Sequence, residues 1–211
     1  TARRNRVTRR HPPLYGVPMQ RTTVWSWLVG GILLVGQSVL GVASALATAA
    51  GEHLSVPLGL GAALLTAGAC IVYAFGLRPA ESVVDRRPAG MAILLGLGAF
   101  VLAHAVWWAG PTGYAAGAGA TPTASLGVIA SFVLAIAGAI AILRIGVIPQ
   151  PWSWIPIAAI ALGLGLAVVF AVVPVVAPGA GGPVGVLPAT IPGVVGIVSA
   201  VLAVTTAPAP A

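Results

Sequence analysis

The sequence predicts an all-α, polytopic integral membrane protein with six transmembrane helices. The first observation is composition: 59% of the 211 residues are hydrophobic and only 6% are charged, which leaves too little polar surface for a soluble globule. The second is six apolar stretches without Asp, Glu, Lys or Arg, each 19 to 27 residues long, which is enough to cross the hydrocarbon core as a helix. The third is the placement of the arginines on alternate connections.

The predicted spans are residues 24–50, 56–77, 91–109, 124–143, 152–176 and 184–205. The first span is too long for the apolar part of a signal peptide, and further spans follow it. In the last span Pro188 and Pro192 disturb the first half, so this segment either crosses or forms a kinked, half-inserted helix. Residues 1–23 form a basic arm before the six-helix domain at 24–205, and residues 206–211 form a short tail.

The arginines predict the orientation. Six of them precede the first span, three lie between the second and third spans, and Arg144 lies between the fourth and fifth. The connections at 51–55, 110–123 and 176–183 carry none. By the positive-inside rule, both termini are cytoplasmic and the helices form three hairpins. Arg supplies all the positive charge and Gly, Ala, Val and Pro are abundant, which indicates GC-rich coding. The expected location is a prokaryotic plasma membrane, with the N-terminus cytoplasmic.

Two tripeptides indicate a weak internal repeat. Trp25, Ser26 and Trp27 open the first span, and Trp-Ser-Trp recurs at 152–154 where the fifth span opens. Tryptophan is enriched at membrane interfaces in general, so the tripeptides alone do not establish a repeat.

Small residues at four-residue spacing predict close helix packing, because small side chains let helix backbones approach in lipid. The candidate packing residues are Gly127, Ser131, Ala135 and Ala139 in the fourth span, and Ala159, Gly163, Ala167 and Ala171 in the fifth. A sequence this rich in Ala and Gly also produces such spacings by chance.

The spans contain little that could do chemistry. His104 is the one histidine well inside a span, and as a haem ligand it would need a second donor, for which His53 is the candidate. Glu52 beside His53 makes an incomplete metal site. The sequence therefore predicts no catalytic residue, no metal and no cofactor, with His104 as a weak cofactor-binding candidate.

The basic arm is a candidate contact surface. Its residues Arg3, Arg4, Arg6, Arg9, Arg10, Pro12, Pro13 and Tyr15 are expected to contact anionic lipid head groups or a groove on a partner subunit. A short arm without a folded module does not suit nucleic acid.

These patterns favour a noncatalytic accessory subunit of a larger membrane complex, such as an energy-converting assembly, that packs against other membrane subunits. A small transporter or channel for an uncharged or lipid-like substrate is the alternative. A haem- or quinone-binding subunit using His104 is a third possibility.

Overall fold

A computed structural model describes residues 24–78, 81–110, 122–146, 148, 152–176 and 187–205. Within these ranges the secondary structure is entirely helical. The helices are α1 (Val24–Ala49), α2 (Ser55–Phe75), α3 (Pro88–Ala109), α4 (Pro122–Ile145), α5 (Ile155–Val176) and α6 (Leu187–Thr205), with a 3₁₀ turn at Trp152–Trp154 leading into α5.

The predicted class, an all-α integral membrane protein, is confirmed. Helices α1, α2, α3 and α6 are each long and apolar enough to cross a membrane. In α4 and α5 the apolar stretches of described side chains are shorter, at Ile129–Ile145 and Trp152–Leu166.

Helix α6 is continuous in spite of its prolines. Pro188 is its second residue, in the first turn, where backbone N–H groups have no partner within a helix. Pro192 lies inside the helix and removes one backbone hydrogen bond.

The helices form an antiparallel ring in chain order. Near the start of α1, Gly30 faces Tyr73 at the end of α2, and further along α1 Leu40 faces Gly61. Each helix packs against the next in the chain, and extensive contact between α1 and α6 closes the ring. We call one end of this bundle the arginine end: it holds the start of α1 and the end of α2, with Arg78, Arg86, Arg87 and Arg144. The other is the opposite end.

The backbones of α1 and α6 approach each other closely. A Cβ atom added to Gly196 would overlap the carbonyl oxygen of Gly31. One added to Gly193 would lie 2.9 Å from the Cβ of Ser38. This seam of small residues fits the kind of contact that holds helices together in lipid.

The candidate packing residues of α4 and α5 have mixed surroundings. Gly127 packs against the imidazole of His104, and Gly163 lies against Ile191 and Phe132. Ala139 is buried, and Ala135 and Ala159 are half-buried. Ser131 donates a hydrogen bond to a carbonyl of its own helix. The side chains of Ala167 and Ala171 lie outside the described residues. Their role in helix association stays a prediction.

Candidate functional site

The connection between α2 and α3 folds back over the end of α2 and completes its hydrogen bonding. The last four carbonyls of an α-helix lack partners within the helix, and in a membrane protein an unsatisfied carbonyl is costly. Here the carbonyl of Val72 accepts from the N–H of Gly76 at 2.8 Å, and that of Tyr73 from the N–H of Val83 at 3.0 Å.

Side chains of the connection serve the remaining two carbonyls. The Ser82 hydroxyl donates to the carbonyl of Ala74 at 2.6 Å, and the Arg86 guanidinium donates to that of Phe75 at 3.1 and 3.3 Å. Asp85 and Arg86 both adopt φ of 50°, a left-handed conformation that is uncommon without glycine. The Ser82 hydroxyl also accepts from the Arg86 N–H at 3.1 Å, which holds this backbone in place.

Glu81 fastens the connection to α1. Its side chain is fully buried, and its Oε2 accepts a hydrogen bond of 2.7 Å from the Ser26 hydroxyl, which in turn accepts from the N–H of Leu77 at 2.8 Å. Its Oε1 lies 3.8 Å from Nε of Arg78, close enough for ionic attraction but too far for a hydrogen bond. Burying a carboxylate is costly unless it is paired and hydrogen-bonded. The hydrogen bond from Ser26 and the nearby Arg78 guanidinium offset that cost for Glu81.

Two valines of the connection enter the core. Val83 is 4% exposed and packs with Trp27 and Leu202, and Val84 is fully buried beside Ala74 and Leu94. The connection is therefore fixed from inside by apolar burial as well as by hydrogen bonds. Its outer side carries charge, since the side chains of Arg78 and Arg87 are 65% and 62% exposed.

A cavity of about 130 Å³ lies beneath this connection, inside the arginine end. Residues from α1, α2, the connection, α4, α5 and α6 converge on it: Trp27, Tyr73, Val83, Ile142, Ile148, Trp152, Ile155, Pro156, Val195, Val198, Ser199 and Leu202. Each Trp-Ser-Trp tripeptide contributes one tryptophan, and the serine of each, Ser26 and Ser153, is buried. The two tripeptides thus meet at one cavity.

Two residues that line the cavity each carry a buried polar atom that has no hydrogen-bond partner among the described residues. These atoms are Nε1 of Trp27, a residue 6% exposed, and the hydroxyl oxygen of Tyr73. The Ser199 side chain lies beside the Tyr73 hydroxyl without forming a hydrogen bond of standard geometry. Buried polar groups are nearly always paired, so two such atoms beside one cavity are unusual. Both atoms are inaccessible to water, so they lie behind the cavity surface rather than on it.

His104, the weak cofactor candidate, lies near the opposite end and is engaged within its own helix. Its Nε2 accepts a hydrogen bond of 3.0 Å from Nε1 of Trp108, and its ring stacks on Phe100 with centroids 6.1 Å apart. Ligation through Nε2 would break the bond to Trp108. His53 and Glu52 are exposed, and the described part of the chain brings no three His, Cys, Asp or Glu side chains together as a metal site.

The arm residues Arg3, Arg4, Arg6, Arg9, Arg10, Pro12, Pro13 and Tyr15 lie outside the described residues. Their contacts with lipid or a partner stay predictions.

Sequence reasoning missed the contact between Glu81 and Ser26, and it missed Tyr73 beside the cavity. One signal was available: Glu81 is one of three acidic residues in the chain and lies in a short connection between apolar spans. A lone carboxylate so placed could have been examined as a buried anchor. The cavity left no local signal beyond the repeated Trp-Ser-Trp.

Comparisons of the chain with protein-family profiles, curated proteins and solved structures find no match.

Proposed function

We propose that this chain crosses a prokaryotic plasma membrane six times, with both termini and the arginine end in the cytoplasm. The support is the antiparallel ring of six helices together with the four described arginines at one end. The test uses single-cysteine variants made after Cys70→Ala, since Cys70 is the only cysteine. A membrane-impermeant thiol reagent applied to intact cells should label position 52 and leave position 87 unlabelled until the cells are opened. The reverse labelling would overturn this topology.

We further propose that the chain is a noncatalytic accessory subunit whose arginine end docks onto an acidic surface of a partner membrane protein. The observation that carries this proposal is the construction of the α2–α3 connection. It is fixed from inside through Glu81, Val83 and Val84, and it presents Arg78 and Arg87 outward. A rigid cationic surface loses little conformational entropy on binding, and its charge complements acidic groups. The basic arm is predicted to lie on the same side and would add to this surface.

Site-specific cross-linking in native membranes tests the docking. A photoactivatable residue at position 87 is expected to capture one protein partner in fixed ratio. The same residue at position 52, which is exposed at the opposite end, is expected to capture no protein partner. Arg87→Gln combined with Arg144→Gln should weaken the capture, because both side chains are exposed and Arg86, which caps α2, is left intact. Capture of anionic lipid alone at position 87, with the chain purifying without other proteins, would refute the accessory role.

A transporter or channel for an uncharged substrate is the second candidate, and one observation favours it. Unpartnered polar atoms occur at two depths along α1: Nε1 of Trp27, and then Oε1 of Gln37 with the hydroxyl of Ser38. Ten residues of helix separate them, or about 15 Å. Substituting Gln37 by Leu would then change substrate flux in proteoliposomes without loss of folding. Unchanged flux would remove this candidate.

A further inference from the structure

We infer that a cavity at the opposite end of the bundle is a binding site for a small organic cation that carries a primary ammonium group. This site lies away from the arginine end and from the docking surface proposed there. Either proposal can therefore fail without the other.

The cavity has a volume of about 240 Å³ and lies where the ends of α1 and α3 meet the start of α2. Three hydroxyl side chains line it, Ser44 and Thr48 of α1 and Ser55 of α2, together with the indole of Trp108. Thr48 is exposed, and the other three residues are half-buried. A ligand from outside can therefore reach polar side chains in this cavity.

The hydrogen bonds of the lining use up donors and leave acceptors. The Ser44 hydroxyl donates to the carbonyl of Ser55 at 2.8 Å, and the Thr48 hydroxyl donates to the carbonyl of Ser44 at 2.8 Å. A hydroxyl has one proton and two lone pairs, so each of these oxygens can only accept from a further partner. A ligand that bonds to them must bring its own donors, and a primary ammonium group brings three.

Trp108 also favours a cation. Its indole N–H donates to Nε2 of His104 at 3.0 Å, so it is not free to donate to a ligand in the cavity. What Trp108 presents to a ligand is its aromatic ring, whose face attracts a positive charge.

The charges around the cavity have the same sign preference. Thr48 lies in the last turn of α1 and Trp108 in the last turn of α3, so two negative helix ends border the cavity, against one positive end at the start of α2. The turn before Ser55 carries exposed Glu52 and His53. Neither this turn nor the lining contains Lys or Arg.

The size and the apolar part of the wall exclude a bare metal ion. The volume of about 240 Å³ corresponds to about eight water molecules at about 30 Å³ each. Val56, Leu60 and Ala105 form an apolar part of the wall, which suits a carbon body attached to the ammonium group. An apolar cavity of about 150 Å³ holds one benzene ring, so a ring with an aminomethyl group fits this space.

The experiment compares two probes of nearly the same shape on the purified full chain in an uncharged detergent. Benzylammonium carries the cation, and benzyl alcohol replaces it with a neutral hydroxyl group. Ligand-observed NMR, corrected for partition into empty micelles, should show benzylammonium bound more tightly. Benzyltrimethylammonium keeps the charge without N–H donors and should bind more weakly than benzylammonium.

Thr48→Val should weaken benzylammonium binding about tenfold, the effect of one hydrogen bond to a charged group, and benzyl alcohol binding no more than about threefold. Ser44→Ala removes the other acceptor and gives a second, independent measure of the same loss. Thr205→Val is the matched control, because Thr205 is exposed at the arginine end and its hydroxyl donates to the carbonyl four residues before it, as that of Thr48 does. It should change neither affinity.

Nanodiscs distinguish two sources of the ammonium group. Phosphatidylethanolamine carries a primary ammonium in its head group, and phosphatidylcholine does not. Weaker benzylammonium binding in phosphatidylethanolamine discs than in phosphatidylcholine discs would support the site with the lipid head group as its ligand. Equal binding in both would support it with a free amine as its ligand.

Benzyl alcohol binding as tightly as benzylammonium would overturn the inference. So would an unchanged benzylammonium affinity in both Thr48→Val and Ser44→Ala. Thermal unfolding of each variant is measured alongside, because a folded variant excludes general loss of structure as the cause of weaker binding.

Discussion

The two ends of the bundle use their polar groups differently. At the arginine end most described side-chain hydrogen bonds join separate elements: Ser26 of α1 reaches Glu81, and Ser82 and Arg86 of the connection reach the end of α2. Thr205 is the exception, since its hydroxyl bonds to its own helix. At the opposite end most described side-chain hydrogen bonds lie within a single helix: Thr48 with Ser44, Trp108 with His104, and Ser131 with Gly127. The exception is the Ser44 hydroxyl, which joins α1 to the start of α2. Polar contacts therefore specify the tertiary structure at one end, and apolar packing dominates at the other.

Cys70 provides a common measurement for testing this difference. It is the only cysteine, and it is 7% exposed on α2. A thiol-reactive dye that fluoresces on coupling therefore reports unfolding, and titration with a denaturing detergent gives the free energy of unfolding. In each of the three pairs that follow, the change named first should cost more than its counterpart.

The largest difference is expected between Gly76→Ala and Gly51→Ala. Both glycines follow a helix with positive φ, of 69° and 70°. Gly76 has ψ of 161°, a region that only glycine occupies readily, and a Cβ there would lie 2.7 Å from the backbone of Glu81 and Ser82, whereas Gly51 faces open space. We expect losses of about 3 and about 1 kcal/mol. Equal losses of stability in the two variants would show that the backbone of the connection shifts readily to accommodate the added methyl group.

The next pair lies within the connection and compares buried with exposed carboxylates. Glu81→Ala removes the acceptor of the buried Ser26 hydroxyl and should cost about 2 kcal/mol. Asp85 is 69% exposed and 3.9 Å from Arg87, so Asp85→Ala should cost less than about 0.5 kcal/mol. Glu81→Gln keeps an acceptor and should recover most of the loss. A larger effect at Asp85 would contradict the anchoring role of Glu81.

The third pair is Ser26→Ala and Ser44→Ala, one serine near each end of α1. Ser26 is fully buried and both donates to Glu81 and accepts from Leu77, so its loss leaves two groups unpaired and should cost about 1.5 kcal/mol. Ser44 is part-buried and donates one bond of 2.8 Å to Ser55, which should be worth about 0.5 kcal/mol. If Ser44→Ala destabilised the chain as much as Ser26→Ala, the contrast between the ends would disappear.

A smaller loss than for the first change in each pair is expected for His104→Phe. The ring contact with Phe100 is kept, the acceptor for the part-buried Trp108 indole is lost, and the larger phenyl ring must shift away from Gly127, at a combined cost of about 1 kcal/mol. Unfolding followed through Cys70 measures this directly. A loss that exceeds the one in Glu81→Ala would place the main polar anchor at the opposite end instead.

Several features of this molecule could be predicted from the sequence because they depend on local composition. Apolar runs without charge gave the helical membrane class, and their limits agree with the helices to within a few residues at most ends, such as 24–50 against Val24–Ala49. The burial of Glu81 could not be predicted, because it depends on a hydrogen bond to Ser26, which lies 55 residues away. The cavity likewise needs side chains from five helices. The rule that proline disturbs a helix interior indicated a disturbed segment at Pro192, whereas the surrounding helix is continuous.

The pairing of α1 with α6 has a consequence for biogenesis. Successive hairpins can assemble as they leave the translocon, but the face of α1 that carries Gly31 and Ser38 has no partner until α6 has been inserted. During synthesis this glycine-rich face is available to lipid, to an insertion factor or to another subunit. A substitution at the seam, such as Gly196→Val, should therefore act late: it would let the first five helices insert and trap an open intermediate that quality-control proteases can recognise.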